Sequence, residues 1–355
     1  MKITDIESKI FEIQLKEPVR TAIGQISVGN TVIVKISTDS GICGLGEGAP
    51  TPFVTGDTAK SIQIAITTLK EHLIGMDTLA IEAIHQRMND CLAYNTSAKA
   101  AIDIALHDIC AKNAGLPLYR YLGGTNGHVV TDKTIGIGTP EKMAEDAVKA
   151  VEQGFEFIKV KTGLSLEDDL LAIELIRKAV GPKIHIKVDA NQGWSVKQAI
   201  EAIERMRSYD VSFVEQPVSV HDEDGLKQVK ESVTLPIMAD ESCFSPYDAL
   251  RLIKHRAIDM INIKLMKSGG LFPAIQMANI AEVAGIPCMI GCMMESAIGI
   301  AAAVALAAAR SNIMYADLDG LLFTKKHPDI RSTIGPIGAE YQLSEESGIG
   351  VHVNY

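Results

Sequence analysis

Residues 157–161 read FIKVK and residues 184–190 read IHIKVDA. Each run alternates apolar and charged residues and carries a charge at or near its end, the pattern of a buried strand that delivers a polar group to its C-terminal edge. Six more β-branched runs keep the same rhythm: 131–138 ahead of these two, then 212–215, 237–241, 260–265, 288–292 and 313–318. Amphipathic stretches lie between them with their own start signals, such as Thr139-Pro140 and Ser195 after Trp194. Eight strands alternating with helices at intervals of roughly 25 residues predict an α/β fold, a (β/α)8 barrel over residues 125–320. An open doubly wound sheet would carry a Gly-rich phosphate turn after its first strand, and none is present.

Upstream the texture changes. Alternating runs at 2–15 and 31–38 precede helical patterns at 58–73, 79–91 and 97–113, the last stopped by Gly115 and Pro117. An α+β domain over 1–124 is expected, with the Gly-rich tail, 321–355, packing back on it. Gly41, Gly44, Gly46 and Gly48 read as a hairpin turn rather than a phosphate loop. Ser268-Gly269-Gly270 reads as loop geometry at a helix start.

The chain has 355 residues, with 34 Lys+Arg against 44 Asp+Glu and a formal net charge of −10. With 47% hydrophobic and 22% charged residues, it has the composition of a folded globular protein. No basic tract is present, so nucleic acid and membrane surfaces are not expected partners. The first residues lack the continuous apolar segment of a signal peptide, and the Ala-rich run 297–309 is shorter than the ~20 residues a bilayer requires. Six cysteines without a C-x-x-C fit buried thiols in a reducing cytoplasm.

Barrel enzymes place their chemistry at the C-terminal ends of strands. There the sequence puts Lys159 and Lys161, Lys187 and Asp189, Glu215, Asp240, and Asn262 and Lys264. The period of two sends these toward the lumen and Val160, Val188 and Ile263 toward the helices. By the same parity Glu241 points away, to a capping role or a place behind the site. Asp189, Glu215 and Asp240 follow one another at the barrel repeat, so adjacent strands bring three anions to one point. Their repulsion calls for a proton, a cationic side chain or a metal, and an all-oxygen set suits Mg2+ better than Zn2+. Lys161 and Lys264 would reach a substrate α-carbon from opposite sides, one removing a proton and the other returning one, with an enediolate between. A free lysine, at pKa ~10.4, is a poor base, and Lys159 with the metal would lower that value.

The segments K-x-K at 159–161, D-A-N at 189–191, V-E-Q-P at 214–217, A-D-E-S at 239–242 and N-I-K at 262–264 resemble the enolase superfamily, muconate-lactonizing-enzyme subgroup. The resemblance covers the whole chain and implies a capping domain with specificity loops near 18–27 and 50–57, and one Mg2+ per subunit. After the eighth strand, Asp317 and Asp319 form a D-x-D that resembles the dipeptide epimerases. It implies that this pair holds the ammonium of a small-molecule dipeptide, and that Thr134, Cys292, Met293 and Met294 line its pocket. Lys159 is assigned to substrate binding, and Asn191, Asn262, Lys187 and Glu241 stand behind the site. A homo-oligomer is compatible with the sequence.

One position departs from the family pattern. Gly24 stands where L-Ala-D/L-Glu epimerases commonly carry an arginine for the substrate's Glu side chain. An uncharged, hydrophobic or aromatic C-terminal residue is therefore expected, with Ile23, Phe53 and Val54 as walls and Arg20 as the one neighbouring cation. The enzymatic alternatives are o-succinylbenzoate synthase, N-acylamino acid racemase and muconate cycloisomerase, against which Asp317 and Asp319 speak. The non-enzyme alternative is a catalytically silent binding barrel, against which the two lysines speak.

Overall fold

The computed structural model describes residues 1–22 and 24–355, with the side chains of 17–20 and 24–28 also set aside. Ile23 thus lies outside the described residues. The chain opens with β1 (Ile3–Thr21), β2 (Gly24–Thr38) and β3 (Cys43–Gly48), an antiparallel sheet in that order. The hairpin is longer than the alternation at 2–15 and 31–38 suggested. Its pairing is interrupted between Gln14 and Val19, around Pro18, and resumes to Thr21 opposite Gly24. Strand pairing needs only backbone groups, so it runs on where the apolar pattern stops.

Helices α1 (Ala59–Leu73), α2 (Ile81–Cys91) and α3 (Thr96–Asn113) cover this sheet, with Val32, Val34, Ile36, Ile66, Leu69 and Ile102 in one buried cluster. The glycines of β3 are not the hairpin turn expected of them; only Gly41, with φ +84°, sits in the turn. Gly44, Gly46 and Gly48 share one face of β3. Cβ atoms there would stand 2.1, 1.9 and 2.7 Å from the carbonyl oxygens of Ala105, Ala101 and Ser97. Those partners recur every four residues, one face of α3. Three missing side chains let helix and strand touch backbone to backbone.

After α4 (Leu118–Tyr121) and β4 (His128–Val130) the barrel begins. Its strands are β5 (Lys133–Ile135), β6 (Phe157–Lys161), β7 (His185–Asp189), β8 (Val211–Glu215), β9 (Ile237–Ala239), β10 (Met260–Lys264), β11 (Cys288–Gly291) and β12 (Ile313–Asp317). They form one parallel sheet in sequence order. Its two edges meet where the Asp132 N–H donates to the Ala316 carbonyl at 3.2 Å. Between the strands run α5 (Pro140–Glu152), α6 (Leu166–Val180), α7 (Val196–Met206), α8 (Glu223–Ser232), α9 (Pro246–His255), α10 (Leu265–Ser268), α11 (Leu271–Val283) and α12 (Ala297–Ala309). The start signals act as expected: Thr139 accepts from the Lys142 N–H, and Ser195 and Gln198 make a reciprocal capping box. Among the described residues no helix is long and apolar enough to cross a membrane.

The two faces of the strands feed separate apolar clusters. Val160, Val188 and Ile263 pack outward with the helices, while Phe213, Met238, Met260 and Met289 fill the lumen. The tail continues through α13 (Gly320–Phe323), β13 (Ile330–Ser332), β14 (Glu340–Gln342) and β15 (Val351–Val353). It touches both layers: Lys325 N–H donates to Gln14 O and the Tyr355 hydroxyl to Ile33 O, each at 2.8 Å, while β14 pairs with β4.

A buried acid joins the layers as well. Glu47, on β3, accepts from the Ser296 and Gly299 N–H groups and from the Ser296 hydroxyl, each at 2.7 Å, at the N-terminus of α12. Beside it Glu295 is buried, and burial first, then the Glu47 charge, pushes its carboxyl up to about 8.

Two outcomes follow from these contacts. Ala at position 46 meets a helix carbonyl that cannot move alone, so G46A should lower stability by about 3 kcal/mol or more, whereas G41A, in open space, should cost only the left-handed strain of ~1 kcal/mol. Thermal melts of the two variants check the order. Because the folded protein raises the Glu295 value above its ordinary 4.5, the folded state holds that proton more tightly, and stability falls as pH rises from 4.5 to about 8. Urea titrations across this window should show E295Q losing that part of the pH dependence.

Candidate active site

The strand ends place the expected residues in one layer. Lys161 pairs in register with Asp189 and Asp189 with Glu215; on the far side Lys264 is opposite Gly291 and Gly291 opposite Asp317. The strands β6 and β10 are four apart in a ring of eight, so Lys161 and Lys264 face each other across the lumen. Both line a cavity of about 110 Å3 together with Asp240, Asn191, Glu241 and Thr134.

Asp189, Glu215 and Asp240 are all buried, and they offer carboxylate oxygens within 4.8 Å of one another. Lysines surround them. Lys161 Nζ donates to Asp189 Oδ2 at 2.6 Å and to Asn191 Oδ1 at 3.1 Å, and Lys264 Nζ to Asp240 Oδ2 at 2.7 Å. Lys159 Nζ lies 2.9 Å from Asp189, 2.8 Å from Glu215 and 2.7 Å from Asp317. Asn262 Nδ2 donates to Glu215 Oε1 at 2.7 Å.

Burial opposes every charge here, and the neighbours decide the outcome. For Asp189 and Asp240 burial is outweighed by lysines, Lys159 and Lys161 at the first and Lys264 and Lys267 at the second, and both carboxyls are held below the usual range. For Glu215 burial and the Asp189 charge win, and it is pushed up to about 8. Lys159 and Lys264 are buried too, yet Asp189 around the first and Asp240 beside the second hold both ammonium groups charged beyond the ordinary lysine range. Lys159 and Lys161 share the Asp189 carboxylate, so one cation stands beside the other.

The donor chemistry fits a divalent cation. Three carboxylates converge from consecutive strands, with no nitrogen or sulfur in the set, and hard oxygen donors of that kind hold metals such as Mg2+.

Asp317 and Asp319 line the same cavity, as do Thr134, Cys292, Met293 and Met294. The Thr134 N–H donates to Asp319 Oδ2 at 2.6 Å. Burial notwithstanding, Lys159 and Lys264 hold the Asp317 carboxyl well below the usual range, while burial and Asp317 raise that of Asp319. Thr21, Phe53 and Val54 form the mouth. Gly24 is paired with Thr21 at the hairpin end and is not itself among the residues that line the cavity.

One expectation needs correction. Glu241 does not point away: β9 ends at Ala239, so parity no longer applies, and the side chain is buried beside the cavity, accepting from Asn191 Nδ2 at 3.1 Å. Lys187 forms an ion pair with Asp132, deeper in the barrel. Three residues escaped sequence reasoning. Gln216, at φ +38°, accepts from the N–H groups of Asp240 and Ser242 at 3.0 and 3.1 Å and so sets the direction of the fifth strand end. Lys267, one turn of α10 beyond Lys264, bonds the Asp240 side chain and carbonyl; the three-residue spacing was its only signal. Asp132, behind Asp317 and Asp319, had none.

Comparison with known proteins agrees with this geometry. Residues 5–123 match the family model described as "Mandelate racemase / muconate lactonizing enzyme, N-terminal domain", and residues 142–355 match "Enolase C-terminal domain-like". The chain is 43% identical to a hydrophobic dipeptide epimerase of Enterococcus faecalis, over 99% of each chain. It is 42% identical to an L-Ala-D/L-Glu epimerase of Clostridium acetobutylicum, again over 99% of each. Among solved structures, the E. faecalis V583 dipeptide epimerase complexed with Mg and L-Leu-L-Tyr superposes with a TM-score of 0.97 at 43% identity, over 99% of this chain and 100% of that one. With motifs, barrel and full-length relatives in accord, the chain belongs to the mandelate racemase / muconate lactonizing enzyme family of the enolase superfamily.

Proposed function

We propose that this enzyme epimerises dipeptides by 1,1-proton transfer at the α-carbon of the C-terminal residue. The observation that carries the reading is the placement of Lys161 and Lys264 on opposed strands of one cavity whose end wall is Asp317 and Asp319. Asp189, Glu215 and Asp240 would hold one Mg2+ per subunit, which supplies the positive charge that acidifies a proton next to a carboxylate.

The chain's own groups do the rest. One of the two lysines, as the neutral amine, takes the α-proton: the C–H bond breaks, an N–H bond forms, and the electron pair passes into the carboxylate as an enediolate. The opposite lysine, as the ammonium, returns a proton to the other face, which inverts the centre. Run backward, the lysines exchange roles. Asn191 and Asn262 orient Lys161 and Glu215. Asp317 and Asp319 bind the N-terminal ammonium and so fix which α-carbon lies between the lysines. An N-acyl substrate, as in the racemase and synthase alternatives, offers those two acids no cation.

Residues 1–124 serve as the capping domain in this reading, with 125–320 as the catalytic barrel and 321–355 as the segment that ties the two. The hairpin end at Thr21 and loop 50–57 close the mouth. With glycine at 24 and with Phe53, Val54 and Phe323 on the walls, the site favours uncharged, hydrophobic or aromatic dipeptides over Ala-Glu. The relative from E. faecalis that is named for hydrophobic dipeptides supports the same preference. Six free thiols accord with a cytoplasmic enzyme.

Incubating the Mg-supplemented protein in D2O with L-Ala-L-Xaa dipeptides and with N-acyl amino acids, and reading mass shifts, tests reaction and specificity together. Deuterium should enter the C-terminal α-carbon, faster for Leu, Phe and Tyr than for Glu. Best turnover of Ala-Glu would overturn the specificity, exchange in N-acyl amino acids alone would favour the racemase alternative, and no exchange in any of them would favour the silent barrel. K161A and K264A should each lower epimerisation by about 10²–10⁴-fold. Each should abolish exchange from a different epimer; equal loss on both epimers in both variants would sink the two-lysine scheme.

A further inference from the structure

The cavity has an aromatic wall beside its acid pair. Asp319 stands at the N-cap of α13, and Phe323 follows it by four residues, the spacing that puts two side chains on one side of a helical turn. Both line the cavity. Of the helix's four residues Gly320 has no side chain, and Leu321 and Leu322 line a separate cavity, so Phe323 is what α13 offers this one. Strand β5 touches both ends of the turn: the Thr134 N–H donates to Asp319 Oδ2 at 2.6 Å, and the Nζ of the preceding Lys133 lies 3.6 Å from the centroid of the Phe323 ring. Lys133 is not among the residues that line the cavity, so it backs the ring from outside.

The turn that carries the ring is fixed before any ligand arrives. The Leu322 N–H donates to the Asp319 carbonyl at 2.8 Å, Lys16 Nζ donates to the Leu322 carbonyl at 3.0 Å, and Leu15 pairs with Thr324. At 3.6 Å the Lys133 amine is in van der Waals contact with the ring, which stops it from swinging back whether or not the amine is charged. An aromatic side chain held in this way presents a broad apolar face with two χ angles to order, so little entropy is lost when a ligand packs on it.

On the dipeptide reading given above, we propose that Phe323 recognises the side chain of the dipeptide's N-terminal residue and selects apolar ones, with Lys133 as the positioning residue that holds the ring. In that reading Asp317 and Asp319 bind the N-terminal ammonium. The carbon that bears the ammonium also bears the N-terminal side chain, so this side chain starts beside Asp319, where the adjoining wall is Phe323. The C-terminal α-carbon, about 3.8 Å further along the peptide, lies between Lys161 and Lys264 and is not what the ring meets. An apolar side chain laid on the ring leaves water, whereas an N-terminal glycine gains nothing there.

The test measures epimerisation of L-Leu-L-Leu and Gly-L-Leu by the Mg-supplemented protein. The two share the ammonium and the reacting residue and differ only in the N-terminal side chain. The wild-type protein should favour L-Leu-L-Leu about tenfold in kcat/KM, mainly through KM. F323A should bring that ratio down to about two, and F323L, which covers the case in which the alanine variant does not fold, should lower it about threefold. K133A should lower the same ratio about threefold and K133R should restore it. A wild-type ratio near one, or equal loss on both dipeptides in the Phe323 variants, would overturn the inference. So would an unchanged ratio accompanied by a new preference between Gly-L-Leu and Gly-L-Phe, which would put the ring against the C-terminal side chain. An unchanged ratio in K133A would remove the part given to Lys133. Wild-type protein that epimerises no dipeptide would instead remove the functional reading, and this inference with it.

Discussion

One buried ammonium joins the two halves of the site. Lys159 Nζ lies within 2.9 Å of Asp189, Glu215 and Asp317, so a single charge is shared between two acids of the proposed metal-ligand set and one acid of the proposed ammonium subsite. Three carboxylates at that spacing would repel one another in a medium where charges are poorly screened. Lys159 turns the repulsion into a cluster with one centre. The position is possible only because residue 159 stands one pleat below Lys161 on β6: parity sends both inward, and the rise between them puts one beneath the cavity floor and the other in its wall.

The barrel does not hold its own rim unaided. The two helices after the strands that carry Lys264 and the Cys292 loop both begin against an acid from the N-terminal layer. Glu47 receives the N–H groups of Ser296 and Gly299 at the start of α12, and Asp103, on α3, receives those of Leu271 and Phe272 at the start of α11. Carboxylates at helix N-termini gain both from unpaired N–H groups and from the helix dipole. Asp103 is kept ionised, despite burial, by His107 and His85 on either side. The layer that shapes the cavity mouth therefore also fixes the first turns behind the strand-six and strand-seven ends. The glycine face of β3 has the same consequence, since it sets α3 close enough for Asp103 to reach across.

What could be read from the sequence follows from where the physical constraint is local. Successive side chains of a strand point to opposite faces, so the inward facing of Lys161, Asp189, Glu215 and Lys264 was legible from parity and the eight strands from the spacing of their runs. Parity failed at Glu241 because the strand ends two residues earlier, a fact set by pairing with neighbours and not by the residues themselves. The β3 glycines looked like turn residues because their reason lies 50 to 60 positions away, in the carbonyls of α3. Asp132 was unreadable for a related cause, since nothing in its own neighbourhood marks it; Gln216 stands in the V-E-Q-P segment, but its role was not legible because it acts on the N–H groups of Asp240 and Ser242, on the next strand end. The K-x-K, D-A-N and N-I-K segments were recognisable because several constraints fall on adjacent residues.

This division between local and distant constraint also separates chemistry from specificity. The proton transfer proposed for the opposed lysines depends on strand ends that the barrel holds in one layer, and the same core would serve any substrate with a carboxylate beside an acidic C–H bond. Which substrate arrives depends on other parts of the chain. Thr21 and Gly24 are paired at the tip of the first hairpin, Phe53 and Val54 lie on a loop between β3 and α1, and Asp317 and Asp319 straddle the exit of β12. On the proposed function, the hairpin tip can change what the cavity accepts without moving a strand end, since Thr21 lines the cavity yet belongs to the antiparallel sheet rather than to the barrel. The strand ends have no such freedom: moving Asp317 disturbs Lys159, and through Lys159 the two acids of the metal-ligand set. On the proposed function, change of substrate is therefore easier to reach through the hairpin and its neighbouring loop than through β12, whose Asp317 shares one lysine with Asp189 and Glu215.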